Sequence, residues 1–168
     1  WLKKQAEARR LTGFVAEDLR PEENDPQWLL DKGQSFYKYK NYLGAVSAYT
    51  HAIGLCEKMP ELYVARSTAQ IALGNHRRVI KDTTKALELL RPHTESNSNM
   101  RFDCYYNRGQ ALLKLGLVRA AESDLEEAVA LRPDHQQCRQ LFYKVELMDE
   151  PVPESLPERS FIEPQDLN

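Results

Sequence analysis

Small residues recur in this chain at a spacing that leaves few folds open. Gly33 and Ser67 stand 34 positions apart, and so do Ala52 and Ala86. Ser67 to Gly109 and Ala86 to Ala128 are both 42, so two independent markers agree on one period and on one insertion of eight residues. The same companions return around each marker: Leu29, Gly33 and Phe36, then Ala45, Tyr49 and Ala52; Tyr63, Ser67 and Gln70, then Val79, Thr83 and Ala86; Tyr105, Gly109 and Leu112, then Ala121, Leu125 and Ala128, with Pro133 closing the last copy. Positions i, i+4 and i+7 share one face of an α-helix, so each copy reads as two helices. The small residues let the paired helices approach closely, and Phe36, Tyr49 and Leu125 fill the space beside them.

A helix–turn–helix unit of 34 residues with these offsets is the tetratricopeptide repeat (TPR). The expected fold is therefore all-α: three TPR helix–turn–helix repeats in a right-handed superhelix with a C-terminal capping helix. Asp25 is placed as an N-cap with Pro26 at the first helical position. The insertion falls in Arg91–Asn99 and reads as an extended polar loop. After Pro133, Asp134 is placed to cap a helix carrying Cys138, Leu141, Phe142, Val145 and Leu147, the cover that a repeat array needs over its last apolar face. The second copy has Gln70, His76 and Thr83 where bulky apolar residues are usual, and is expected to be the least stable. Residues 1–25 read as a lead-in helix, with Leu11, Phe14, Val15 and Leu19 on one face, and a linker. Residues 26–148 read as the TPR domain with its cap, and 149–168 as a disordered acidic, proline-rich tail. A chain that starts at Trp1 reads as a piece of a longer protein.

Composition removes several functions. The formal net charge is −2, which provides no basic field for nucleic acid or an anionic membrane. No apolar run approaches the roughly 18–20 residues of a membrane span, and no secretory signal is present. Cys56, Cys104 and Cys138 are odd in number and far apart, which predicts free thiols and a cytosolic setting. His51, His76, His93 and His135 fall in separate segments without metal-ligand spacing, and there is no phosphate-binding glycine loop or nucleophile elbow. The expectation is a non-enzyme with no metal, cofactor, catalytic residue, nucleic-acid or membrane partner. The charge is uneven: residues 149–168 hold six acids and one base, leaving the first 148 residues net positive.

Function is then left to the concave surface formed by the first helix of each repeat. Counting from Gly33, Ser67 and Gly109, that surface takes Leu30, Asp31, Gln34 and Tyr37 from copy one. It takes Val64, Ala65, Thr68 and Ile71 from copy two, and Tyr106, Asn107, Gln110 and Leu113 from copy three. Asp103 lies just before this set, and Lys38 and Lys114 lie one residue beyond it. Such a groove is mostly apolar and suits an apolar or amphipathic protein segment. The competing reading is that several of these side chains merely contact the capping helix.

Part of the chain carries a closer likeness. WLKKQAEARR at 1–10, DPQWLLDKG at 25–33, NYLGAVSAYTHAI at 41–53, KMPELYVARS at 58–67 and KALELL at 85–90 resemble the C-terminal part of the axonemal dynein assembly factors first described as dyslexia-susceptibility candidates. The resemblance covers most of residues 1–148. It implies an adaptor or co-chaperone in preassembly of axonemal dynein arms, with heat-shock chaperones or other dynein assembly factors as protein partners. It also implies the cytoplasm as the setting, with the nucleus and cilia as further sites. Co-chaperones of this kind hold the acidic C-terminal tails of heat-shock chaperones with a clamp of Lys, Asn, Asn, Lys and Arg. Here the five matching positions are Leu30, Gln34, Ala65, Asp103 and Asn107, and none agrees. Only Lys38 or Arg101, one helical turn away, would restore a cation. A clamp for chaperone tails, a structural segment of a ciliary assembly, and a tail that folds onto its own domain are the alternatives.

Overall fold

The computed structural model describes residues 14–148 and Lys4. Two 3₁₀ turns, Ala16–Asp18 and Pro21–Glu23, lead into seven α-helices: α1 Pro26–Lys38, α2 Tyr42–Leu55, α3 Pro60–Ala72, α4 His76–Leu89, α5 Ser98–Lys114, α6 Val118–Leu131 and α7 Gln136–Met148. Each helix packs on the next, and α3 also touches α1 and α5, so the first helices of the three hairpins line one side of the stack. The fold is the all-α TPR superhelix that the periodicity predicts, with α7 covering the last hairpin. Most of the expected lead-in helix lies outside the described residues; at its described end the chain makes only the turn at Ala16–Asp18. The tail 149–168 also lies outside them.

Local chemistry sets the helix boundaries. Asp25 accepts the Trp28 N–H at 2.9 Å, with Pro26 at the first position of α1. Asn41 likewise accepts the Gly44 N–H at 3.0 Å to start α2. Within each hairpin, the turn needs one residue with positive φ: Lys40 (61°), Gly74 (73°) and Gly116 (76°). These positions are 34 and 42 apart, so the turn repeats with the helices. Copies two and three meet the requirement with glycine, whereas Lys40 bears a left-handed penalty of about 1–2 kcal/mol.

The core follows the marker residues. Leu29, Ala45, Ala52, Leu62, Val79, Ala86, Ala121, Leu125 and Ala128 are fully buried. A fully buried leucine or valine contributes about 1.5–3 kcal/mol. Gly33 sits against the ring of Tyr49, and Gly109 against Leu125, whose Cγ would be 2.8 Å from an added Cβ. At the far end Phe102, Leu125, Ala128, Cys138 and Val145 form one cluster that joins α5 and α6 to the cap. The start of the cap departs from expectation. His135 Nδ1, rather than Asp134, accepts a backbone N–H at 3.1 Å, that of Cys138.

The insertion is only partly a loop. Its last residues, Ser98 and Asn99, already belong to α5, which runs to 17 residues against 13 for α1 and for α3. Asn97 organises the remainder, donating from Nδ2 to the carbonyls of Leu90 and Pro92 at 3.0 Å each. Arg101 donates to Asn97 Oδ1 at 2.8 Å and to the Thr94 carbonyl at 3.0 Å.

Copies two and three share a polar tie. Arg66 of α3 forks onto Asp82 of α4 (2.8 and 2.7 Å) and reaches Thr50 of α2 at 3.1 Å. Arg108 of α5 forks onto Asp124 of α6 (2.7 and 2.8 Å) and reaches Thr84 of α4 at 3.1 Å. Each guanidinium also lies over a tyrosine ring one turn earlier, Tyr63 at 5.9 Å and Tyr105 at 5.8 Å. Each tie joins the two helices of one repeat to the second helix of the repeat before it. The hydrogen bond to Asp124 raises Arg108 above its usual range, against the opposing effect of burial. Copy two, expected to be weak, thus has a specific anchor on each side. Its polar residues still leave Gln70 Oε1 and His76 Nδ1 buried without a partner.

Candidate functional site

The concave side holds a cavity of about 290 Å³ lined by Gln34, Tyr37, Tyr49, Glu61, Val64, Ala65, Thr68, Met100 and Asp103. It lies over α3, between α1 and α5. Helical spacing brings Glu61, Val64, Ala65 and Thr68 to one face of α3, with Gln34 and Tyr37 facing them from α1. Tyr37 is 38% exposed and packs edge-on against Tyr42 at 5.3 Å. Among the described residues, the lining carries two carboxylates, Glu61 and Asp103, and no lysine, arginine or histidine. Asp103 is more than one-third exposed, yet partial desolvation raises its carboxyl above the usual range, opposed by the nearby charges of Arg132 and His135.

Of the groove residues expected from spacing, Gln34, Tyr37, Val64, Ala65, Thr68 and Asp103 come together here. The others do not line the cavity. Leu30 is buried at 6% exposure in the cluster formed by α1, α2 and α3. Tyr106 stacks on Phe102 at 5.6 Å and meets His135 edge-on at 5.2 Å, while Leu113 packs in the cluster joined to α7. These two side chains face the capped end of the stack. Gln110 turns its amide back to the Tyr106 carbonyl at 3.3 Å, Ile71 is half-buried, and Lys114 is exposed at the end of α5.

Asn107 is not a free amide either. It is 7% exposed, and its Nδ2 donates to Ser67 Oγ at 3.1 Å and Thr68 Oγ1 at 3.0 Å, bonding copy three to copy two. Arg101, the cation one turn away, is held by Asn97 and Thr94 in the inserted loop. Lys38 does not line the cavity. Sequence counting missed Glu61, although it stands six residues before Ser67, as Asp103 does before Gly109. Met100 was not legible, because it enters on the extra turn of α5 that the insertion supplies. Among the described residues, no three of His, Cys, Asp and Glu gather as a metal site, and no helix is long and apolar enough to cross a membrane.

The family model for the tetratricopeptide repeat matches residues 102–135. Dynein axonemal assembly factor 4 of Pan troglodytes is 42% identical over 139 residues, 81% of this chain and 33% of that protein. The Mus musculus protein is 43% identical over 138 residues, 79% of this chain and 32% of that protein. This is a TPR domain similar to part of dynein axonemal assembly factor 4. The chain spans about one-third of the length of those relatives. Among solved structures, the second TPR domain of human RPAP3, in complex with the HSP70 peptide SGPTIEEVD, has TM-score 0.61 and 25% identity, covering 72% of this chain and 98% of that one. The first TPR of Spaghetti (RPAP3), bound to the HSP90 peptide SRMEEVD, has TM-score 0.65 and 23% identity, covering 73% and 91%, and shows the shared fold.

Proposed function

We propose that this domain is a non-enzymatic adaptor whose concave groove binds an internal apolar or amphipathic segment of a partner protein. Its setting is the cytoplasmic assembly of axonemal dynein arms. Similarity to dynein axonemal assembly factor 4 supports the process. One observation supports the mode of binding: the cavity pairs apolar walls with Glu61 and Asp103 and, among the described residues, has no cation in its lining. A peptide ending in EEVD would bring its side-chain carboxylates and its terminus toward these two acids. A tail-binding groove offers charge-assisted hydrogen bonds of about 1.5–3 kcal/mol each. Losing two of them removes about two to four decades of affinity. Asn107 cannot compensate, since its N–H groups are committed to Ser67 and Thr68.

A second reading, capture of a chaperone tail, is favoured by the likeness to the RPAP3 domain that was solved with an HSP70 peptide. One titration separates the two. Labelled SGPTIEEVD is titrated against the domain beside an amidated peptide that carries an apolar pair next to a lysine. The proposal expects saturable binding of the amidated peptide, weakened by Glu61→Lys. Micromolar binding of SGPTIEEVD that disappears when its terminal carboxylate is blocked would sink it.

A further inference from the structure

The outer side of α4 carries a row of charge that the concave groove does not use. Arg77, Lys81 and Lys85 recur at every fourth position and so share one helix face. They line a second groove of about 610 Å³, whose apolar wall includes Tyr63 and Ile80. The acids beside this row do not cancel it. Asp82 is committed to Arg66 at 2.7 Å. Glu57 and Glu88 lie at the end away from Arg77, where Lys85 approaches Glu88 at 4.0 Å. Arg77, Arg78 and Lys81 make no ion pair among the described residues. Arg77 and Arg78 also occupy the first turn of α4, which contains no acid, and cations there oppose the helix dipole.

We propose that the acidic tail, residues 149–168, folds back and docks on this row as an intramolecular ligand. Asp149, Glu150 and Glu154 fall within the tether, and Glu158, Glu163 and Asp166 against Arg159 are left to face the row, with Phe161 and Ile162 to meet the apolar wall. Its tether is suitably placed. Consecutive helices run antiparallel, so the end of α7 at Met148 and the start of α4 lie at the same end of the stack. The contacts that link them, α4 to α5, α5 to α6 and α6 to α7, are three helix spacings of 8–10 Å, so the two ends lie at most about 30 Å apart. The ten residues from Asp149 to Glu158 span at most about 33 Å, which is enough. A tether this short holds the tail near the row at millimolar effective concentration, so modest attraction is sufficient.

The test is paramagnetic broadening in the whole chain, with a nitroxide on Ser160→Cys and the partly exposed thiol removed by Cys56→Ser. Amide signals of residues 77–85 should broaden in low salt. They should sharpen at about 1 M salt, where the Debye length falls to about 3 Å, and in the folded triple variant Arg77→Glu, Lys81→Glu, Lys85→Glu. No broadening along α4, or broadening centred on Ala65 and Thr68, overturns the proposal. So does broadening of ¹⁵N-labelled chains by an added spin-labelled copy, which would place the contact between molecules.

Discussion

The tie around Arg108 permits a quantitative test of how this array is held together. Asp124→Ala removes two charged hydrogen bonds of 2.7 and 2.8 Å and leaves a guanidinium that is only 21% exposed without its carboxylate. Breaking a buried pair from one side costs about 3–5 kcal/mol. The residual exposure of Arg108 lets water recover part of this, so about 2–3 kcal/mol is expected. Thr84→Val removes only the 3.1 Å bond between repeats and should cost about 1 kcal/mol. The double variant Arg108→Met, Asp124→Leu should lie well above the sum of its singles, because neither side leaves a stranded charge. Urea unfolding followed by far-UV circular dichroism measures the wild type, Asp124→Ala, Thr84→Val, the double variant and its two singles on one scale. An Asp124→Ala cost below about 0.5 kcal/mol, or a double variant whose cost equals the sum of the singles, would show that the tie is mere surface decoration.

Other expectations follow from the same packing. Gly33→Ala places a methyl in the ring of the buried Tyr49, whereas Gly109→Ala overlaps less deeply, with Cγ of Leu125 at 2.8 Å; melting should show a loss of about 3 kcal/mol for the first and about 1–2 kcal/mol for the second. Equal losses would contradict this account. His135→Ala removes both the cap of α7 and its ring contact with Phe102 at 4.9 Å, so hydrogen exchange in α7 should accelerate while α1 to α4 stay unchanged. Burial pushes the Cys104 thiol from 9.0 to about 12 and Cys138 to about 11, whereas Cys56 is partly exposed. One thiol should react quickly with a disulfide reagent, and two only on unfolding. Because unfolded thiols ionise near pH 9.0 and these two do not, their contribution to stability is complete below that pH and is lost as pH rises toward 11 to 12. Fast reaction of all three, or stability flat across that range, would refute the burial argument.

The architecture was legible because its signal is redundant. Gly33, Ser67 and Gly109 report the same period as Ala52, Ala86 and Ala128, and close helix packing requires small residues at those places. The site was harder to read. Spacing locates a face but not the curvature of the stack, so Leu30 and Tyr106 share a repeat position with Val64 yet lie in different neighbourhoods, one in a core and one against the loop before α7. Asn107 shows the same limit. An amide at a groove position looks available until its donors are found on Ser67 and Thr68. The Arg–Asp ties were readable in principle, since Tyr63, Arg66 and Asp82 recur 42 positions later as Tyr105, Arg108 and Asp124. A search for apolar periodicity passes over them because their partners are polar.

Among the described residues, copy one has no such tie. Lys32 stands where Arg66 and Arg108 stand in the later copies, and Ala48 holds the position of their aspartates. Its ammonium rests 5.0 Å over the Phe36 ring instead. Under tension between its two ends, the array should therefore yield in order. The hairpin α1–α2 peels away first, resisted by apolar contact and by the bond that Arg66 donates to Thr50. The doubly riveted α3–α6 segment gives way later and all at once. A load on this domain would lengthen it by one hairpin before disturbing most of the surface proposed to hold a partner.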